Sequence, residues 1–201
     1  MLRQMLTALG AMALAATPAL AQQPAPAASS APTALRVAPS GRATTTVTLT
    51  PPRVQGQPAP TARTIRIDYG QPHARGRQIV GQVVPMDSVW RTGANEATTL
   101  TTDVDLVIGG ATVPSGSYTL FTLPTREGWT LIINKKTGQW GTRYDAAHDL
   151  ARVKLRARTL RDPVESLALT LVPGSGTPAG GELTISWGTV HLATDWTVAG
   201  Q

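Results

Sequence analysis

The sequence predicts an all-β fold, an antiparallel β-sandwich or jelly-roll-like single domain. Three observations predict it. From about residue 43 onward, apolar and polar residues alternate with a period of two, the pattern of half-buried strands. Gly, Pro, Asn and Asp fall between most of these runs, where turns belong. The 3.6-residue period of an amphipathic helix is absent, apart from a turn or two near Asp145 to Leu150.

Taken in order, Val47 and Leu49 alternate with Thr46, Thr48 and Thr50, and Ile65, Ile67 and Tyr69 alternate with Thr64, Arg66 and Asp68. Leu100, Val104, Leu106 and Ile108 share one face, with Thr101, Asp103 and Asp105 on the other. Gly109-Gly110 then suits a tight hairpin, because glycine reaches positive φ at little cost. Pro114-Ser115-Gly116 reads as a type I turn. Strands follow at Ser117 to Leu123, at Trp129 to Ile133, and at Val153 to Ala157, where Arg152, Lys154, Arg156 and Arg158 take the opposite face. Leu167 to Leu171 is another, then a loop from Pro173 to Gly181, then strands through Trp187 and from Val190 to Val198. The total is nine or ten short strands.

Composition narrows the chemistry. Of 201 residues 41% are hydrophobic, enough to bury a core, and none is Cys. That excludes a disulfide framework, thiolate metal sites, a thiol nucleophile and the lipid anchor that needs a Cys after its signal. At the N-terminus, Arg3 precedes an apolar stretch from Met5 to Ala16, and Ala19-Leu20-Ala21 forms an A-x-A site. Residues 1–21 therefore read as an export signal cleaved after Ala21, which places the mature chain in the periplasm or the medium. The apolar stretch is too short for a membrane span of about 20 residues, so no transmembrane segment is expected after cleavage. Residues 22–42, rich in Pro and Ala, read as a disordered linker, and 43–201 as the β domain.

Residues 68–98 interrupt the alternation with a Gly-rich polar connection that holds His73, Arg75, Arg77, Asp87, Trp90, Arg91, Asn95 and Glu96. Long loops on a rigid scaffold often carry function. The run Trp90-Arg91-Thr92-Gly93-Ala94-Asn95-Glu96-Ala97-Thr98 is distinctive. With it go Ile67-Asp68-Tyr69, Arg75-Gly76-Arg77, Pro114 to Phe121, Gln139-Trp140-Gly141, Tyr144-Asp145 and Val164 to Leu167. Over about residues 60–198 the chain resembles the bacterial domain of unknown function 2911 family. The resemblance implies an exported β-rich protein and brings no activity, ligand or catalytic residue with it. One departure stands out: members often place a Ser or Thr and an Arg before Pro72, where this chain has Gly70-Gln71.

Two chemistries are open to the connection. Arg91 beside Trp90 could clamp a carboxylate or phosphate while the indole stacks on the ligand, with Asn95 and Glu96 as further anchors and Arg75 and Arg77 on the rim. Alternatively, Glu96 or Asp68 with His73 could supply a hydrolase's acid–base pair. The plainest alternative is structural, with Arg91 and Glu96 paired to one another. No G-x-S-x-G, phosphate loop or metal-ligand spacing occurs, and His73, His148 and His191 are isolated, so neither cofactor nor metal is expected. The Arg152–Arg158 row could meet an anionic polymer or simply be a solvated face. It lacks interleaved aromatics, so no nucleic acid is expected. Trp129, Trp187 and Trp196 fall among aliphatics as core, whereas Trp90 and Trp140 lie in loops. The expectation is a binding module of the bacterial envelope, for a glycan, a small anionic ligand or an envelope protein. A hydrolase and a purely structural protein are the alternatives.

Overall fold

Nine antiparallel strands build one sheet in the computed structural model, which describes residues 35–200. The expected export signal and most of the linker lie outside the described residues. The strands are β1 (Ser40–Leu49), β2 (Arg63–Pro72), β3 (Thr98–Thr102), β4 (Leu106–Ile108), β5 (Ala111–Val113), β6 (Gly116–Thr125), β7 (Gly128–Asn134), β8 (Asp149–Pro173) and β9 (Gly180–Val198). Their order across the sheet is β1-β2-β3-β6-β7-β8-β9-β4-β5. The all-β expectation holds, and β1 begins at Ser40, three residues ahead of the domain start read from the sequence. The only helical element among the described residues is a 3-10 turn at Ala146–His148, where Asp145 caps the Ala147 amide. No described helix is long and apolar enough to cross a membrane.

Three elements differ from the sequence reading. Leu100, Leu106 and Ile108 do face the core, but from two strands, β3 beside β2 and β4 beside β9. The Thr102 hydroxyl breaks the run by donating to the Val104 carbonyl and accepting the Val104 amide, a side-chain turn that redirects the chain. The two arms of β8, and likewise of β9, are single long strands rather than separate ones. Register shifts near Val164 and a positive φ at Gly188 bend them without ending them. Pro114-Ser115-Gly116 is a bend in which Asp105 accepts the Ser115 amide, while the Gly109-Gly110 hairpin forms as expected, with φ of +53° and +88°.

The long β8 lets the sheet bury its own inner face. Its first arm pairs with β7, and its second arm, from Val164 on, lies against β1 and β2. There the core gathers Ile65, Ile67, Leu120, Leu131, Leu169 and Trp196. The edge that the second arm turns away from β9 is sealed by side chains of β1 and β2. The Leu169 amide donates to the Tyr69 hydroxyl and the Leu171 amide to Thr45 Oγ1, while the Gln71 amide donates to the Leu167 carbonyl. Buried backbone groups that lack a strand neighbour are thereby satisfied. Replacing Tyr69 with Phe keeps the ring but orphans the Leu169 amide, at about 1–3 kcal/mol. Thermal unfolding of Tyr69→Phe is expected about 3–8 °C below the parent chain. An unchanged midpoint would mean that water replaces the hydroxyl.

Candidate functional site

β6 is buried on both faces through Tyr118–Thr122, which a one-sided sheet does not need. Its outer face, with Phe121, is roofed by two segments, the connection between β2 and β3 and the loop between β7 and β8. Trp90 and Thr122 exchange both backbone hydrogen bonds, at 2.7 and 2.9 Å, so the connection adds a short rung to β6. The turn after it lies on β2, where the Ala94 amide donates to the Gly70 carbonyl. Four non-glycine residues adopt positive φ among the described residues, and all are in this connection: Arg75, Asp87, Thr92 and Asn95. Thr92, β-branched and fully buried at φ +53°, is held there by hydrogen bonds. Its hydroxyl meets Thr122 Oγ1 at 3.2 Å, and its carbonyl accepts from Thr98 Oγ1.

The second roof segment closes on the first. The Gly141 amide donates to the Asn95 carbonyl, and a side chain at Gly141 would meet Asn95 O and Arg91 Cδ at 2.7 Å. Further along, the Tyr144 hydroxyl donates to Asp149 Oδ2 and accepts from Arg152 Nη2. Burial first, and then the bond to Asp149, hold this phenol above its ordinary range, so it stays a neutral donor. Its ring meets Phe121 edge-on at 5.0 Å between centroids.

Between the two segments lies an open cleft of about 400 Å³. Trp90, Trp187 and Tyr144 supply aromatic wall, and Arg77, Arg91 and Asn95 supply polar wall. Trp90 stacks on Trp187 with centroids 5.8 Å apart and ring planes 16° from parallel. The Trp187 indole N–H donates to the Glu165 carbonyl, which fixes the deeper ring. A larger open groove, about 540 Å³, lies between the end of β1 and the β8–β9 turn. Its wall is aliphatic, Pro, Gly and Thr, with Arg63 its one ionisable group and Trp196, almost fully buried, its one aromatic, so it offers a ligand less charge and less exposed aromatic surface than the cleft.

The structure thus brings together Arg77, Trp90, Arg91 and Asn95, and leaves His73, Arg75 and Glu96 outside the cleft wall. His73 bonds Ser166 Oγ at 2.7 Å and the Ala38 carbonyl at 3.2 Å, bracing the end of β2. The Arg75 backbone amide donates to Glu165. The expected pairing of Arg91 with Glu96 does not form. Glu96 meets Arg42 at 3.5 Å instead, and Arg91 Nε donates to the Gly93 carbonyl. Glu96 is bridged to Trp140 within reach of Arg42 on β1, while the Arg91 guanidinium is held by its own turn. Nor do Asp68 and His73 meet, since their hydrogen-bond partners differ throughout. Phe121, Tyr144 and Trp187 were not read as site residues. The last looked like plain core, and only the fold brings the other two under the connection.

The basic row dissolves in a similar way. Arg152 is bound to Asp149 and Tyr144, and Arg156 to Asp195 and Glu182, leaving Lys154 and Arg158 without such partners among the described residues. No group of three or more potential ligands among the described residues is placed to hold a metal ion.

Burial alone would raise the Asp68 carboxyl, but hydrogen bonds from Arg66, Arg42 and Thr44 hold it below the ordinary carboxylate range. A group held so is a poor proton donor near neutral pH. Its folded pKa is lower than its unfolded one near 4. The stability it contributes is therefore complete above about pH 4 and fades as pH falls through the folded value. In Asp68→Asn, stability followed by urea unfolding is expected to fall less steeply between about pH 4 and pH 2 than in the parent. Identical slopes would contradict the hydrogen-bond assignment.

Gly70 is where the connection touches the sheet. A side chain there would overlap the Ala94 carbonyl, which is backbone and cannot rotate away. Gly70→Ala is expected to cost about 2–3 kcal/mol and lower the unfolding midpoint by about 5–10 °C. A neutral outcome would show that the turn can lift from β2.

Over residues 51–195 the chain matches the family described as protein of unknown function (DUF2911). No curated protein and no solved structure matches it. The matched span runs from the loop before β2 into the last residues of β9 and holds every side chain of the cleft wall except Ser40. The chain belongs to the DUF2911 family.

Proposed function

We propose that this is an exported binding protein of the bacterial envelope that holds a pyranose sugar in the cleft roofed by the β2–β3 connection. The observation that carries this reading is the aromatic wall of half-buried Trp90 and Tyr144, with buried Trp187 stacked against Trp90, at a space of about 400 Å³, the size of a small-ligand site. The C–H face of a sugar ring stacks on indoles, and the Asn95 amide and the Thr142 hydroxyl at the rim suit its hydroxyl groups. The export signal read at residues 1–21 supports an extracytoplasmic ligand. Hydrolysis is less well supported, because Asp68, His73 and Glu96 do not converge on the cleft, and Arg42 binds both carboxylates.

The Trp pair provides its own signal. Titrating the mature chain (residues 22–201) with mono- and disaccharides is expected to give a saturable change in tryptophan fluorescence and a raised unfolding midpoint. Thr142 is exposed on the rim, so Thr142→Trp fills the mouth of the cleft without touching the core. That variant is expected to bind at least tenfold more weakly while unfolding within about 2 °C of the parent. Equal binding by Thr142→Trp would place the ligand elsewhere. No response to any sugar would sink the reading.

A further inference from the structure

The charges of the cleft narrow its ligand further. Arg77 and Arg91 stand in its wall, and no Asp or Glu does. Every hydrogen bond that these two guanidinium groups make among the described residues goes to a neutral backbone carbonyl. Arg77 donates from Nε to Ala74 O and from Nη2 to His73 O, and Arg91 donates from Nε to Gly93 O. Neither takes part in an ion pair among the described residues, in contrast to Arg42, Arg66, Arg152 and Arg156. The Nε contacts pin each fork, and both terminal nitrogens of Arg91 remain without a protein acceptor among the described residues. Two fixed, uncompensated cations beside a stacking wall are poorly matched to a neutral ligand. They match a ring that carries an oxyanion.

Resting on the reading above, we propose that the sugar held in the cleft is a uronic acid, with Arg91 and Arg77 donating to its carboxylate while the ring stacks on the Trp90 wall. A planar carboxylate presents two oxygens in the plane of a guanidinium fork. A phosphate dianion is more often met by the N-terminus of a helix, and the described residues contain no α-helix.

The test compares glucuronate, glucose and glucose 6-phosphate on the mature chain at low ionic strength, by tryptophan fluorescence titration. Arg91→Met and Arg77→Met serve as variants, since Met keeps the apolar stem that packs on Gly141 and removes the charge. The expected result is glucuronate binding at least tenfold more tightly than glucose. In Arg91→Met the glucuronate-to-glucose affinity ratio falls to within about twofold of one, and Arg77→Met shows a smaller fall in the same ratio. Raising the salt concentration weakens glucuronate and leaves glucose unmoved.

Equal binding of glucose and glucuronate by the parent chain would overturn the uronic acid and leave the sugar reading standing. So would a preference that survives both variants. Tighter binding of glucose 6-phosphate than glucuronate would overturn the carboxylate in favour of a phosphate. Binding of none of the three would overturn the sugar reading and this inference with it.

Discussion

The close approach of the Trp90–Asn95 turn to β2 is the constraint on which the outer face depends. Gly70 permits it, because any side chain there would occupy the position of the Ala94 carbonyl. The consequence is a hydrogen bond from the Ala94 amide to the Gly70 carbonyl, and a turn tight enough to need positive φ at both Thr92 and Asn95. Strain of that kind persists only where the surroundings over-determine it. Here they do. Thr98 and Thr122 hold Thr92 by its carbonyl and its hydroxyl, and the Trp90–Thr122 rung anchors the strand that leads into the turn. Gln71, next to Gly70, ties the same stretch of β2 to β8, its side-chain amide donating to the Leu167 carbonyl.

Once the turn is fixed, the second roof segment has a template. The Asn95 carbonyl accepts the Gly141 amide, Gly141 packs on the Arg91 stem, and the chain runs on to Tyr144, whose hydroxyl is tied to Asp149 and Arg152 at the start of β8. The cleft is the space these two segments leave above Phe121 and beside the Trp90–Trp187 pair. Its walls come from parts of the chain far apart in sequence, and each wall is held by hydrogen bonds that do not involve a ligand. If the cleft holds the proposed ligand, walls fixed in this way lower the entropy lost on binding.

Much of the fold was legible because period-two alternation reports burial directly. Val47, Ile65, Ile67, Tyr69, Leu167, Leu169 and Leu171 all face inward as their spacing predicts. Strand continuity was less legible. A bulge and a chain break look alike in sequence, so the long β8 read as two strands. One alternating run from Leu100 to Ile108 read as a single strand, although Thr102 divides it. For the site, Trp90, Arg91 and Asn95 stood out through their unusual local composition. Phe121 and Trp187 did not, because an aromatic side chain on a strand has the same pattern whether it fills a core or lines a cleft, and Tyr144 did not because it lies in a loop that only the fold brings over β6. The contact of Glu96 with Arg42 rather than Arg91 was illegible for a further reason. Arg42 lies on β1, far upstream in the chain, and only the fold brings it beside Glu96.

Arginine count alone says little about where this protein would meet an anion. The row from Arg152 to Arg158 is the densest basic stretch in the sequence, yet two of its four cations are held by carboxylates and a phenol of the same chain. The hydrogen bonds of Arg156 to Asp195 and Glu182 push its pKa further above an already high value. An incoming anion would have to displace these partners, and for exposed pairs the exchange gains little. Arg77 and Arg91 lie in one connection outside that row, and their bonds are to carbonyls that carry no charge. An oxyanion reaching them displaces water rather than a carboxylate, and it does so beside aromatic surface where the effective dielectric is lower. What separates an arginine open to an anion from one already satisfied is therefore its partner's charge, which the fold decides and the residue count does not.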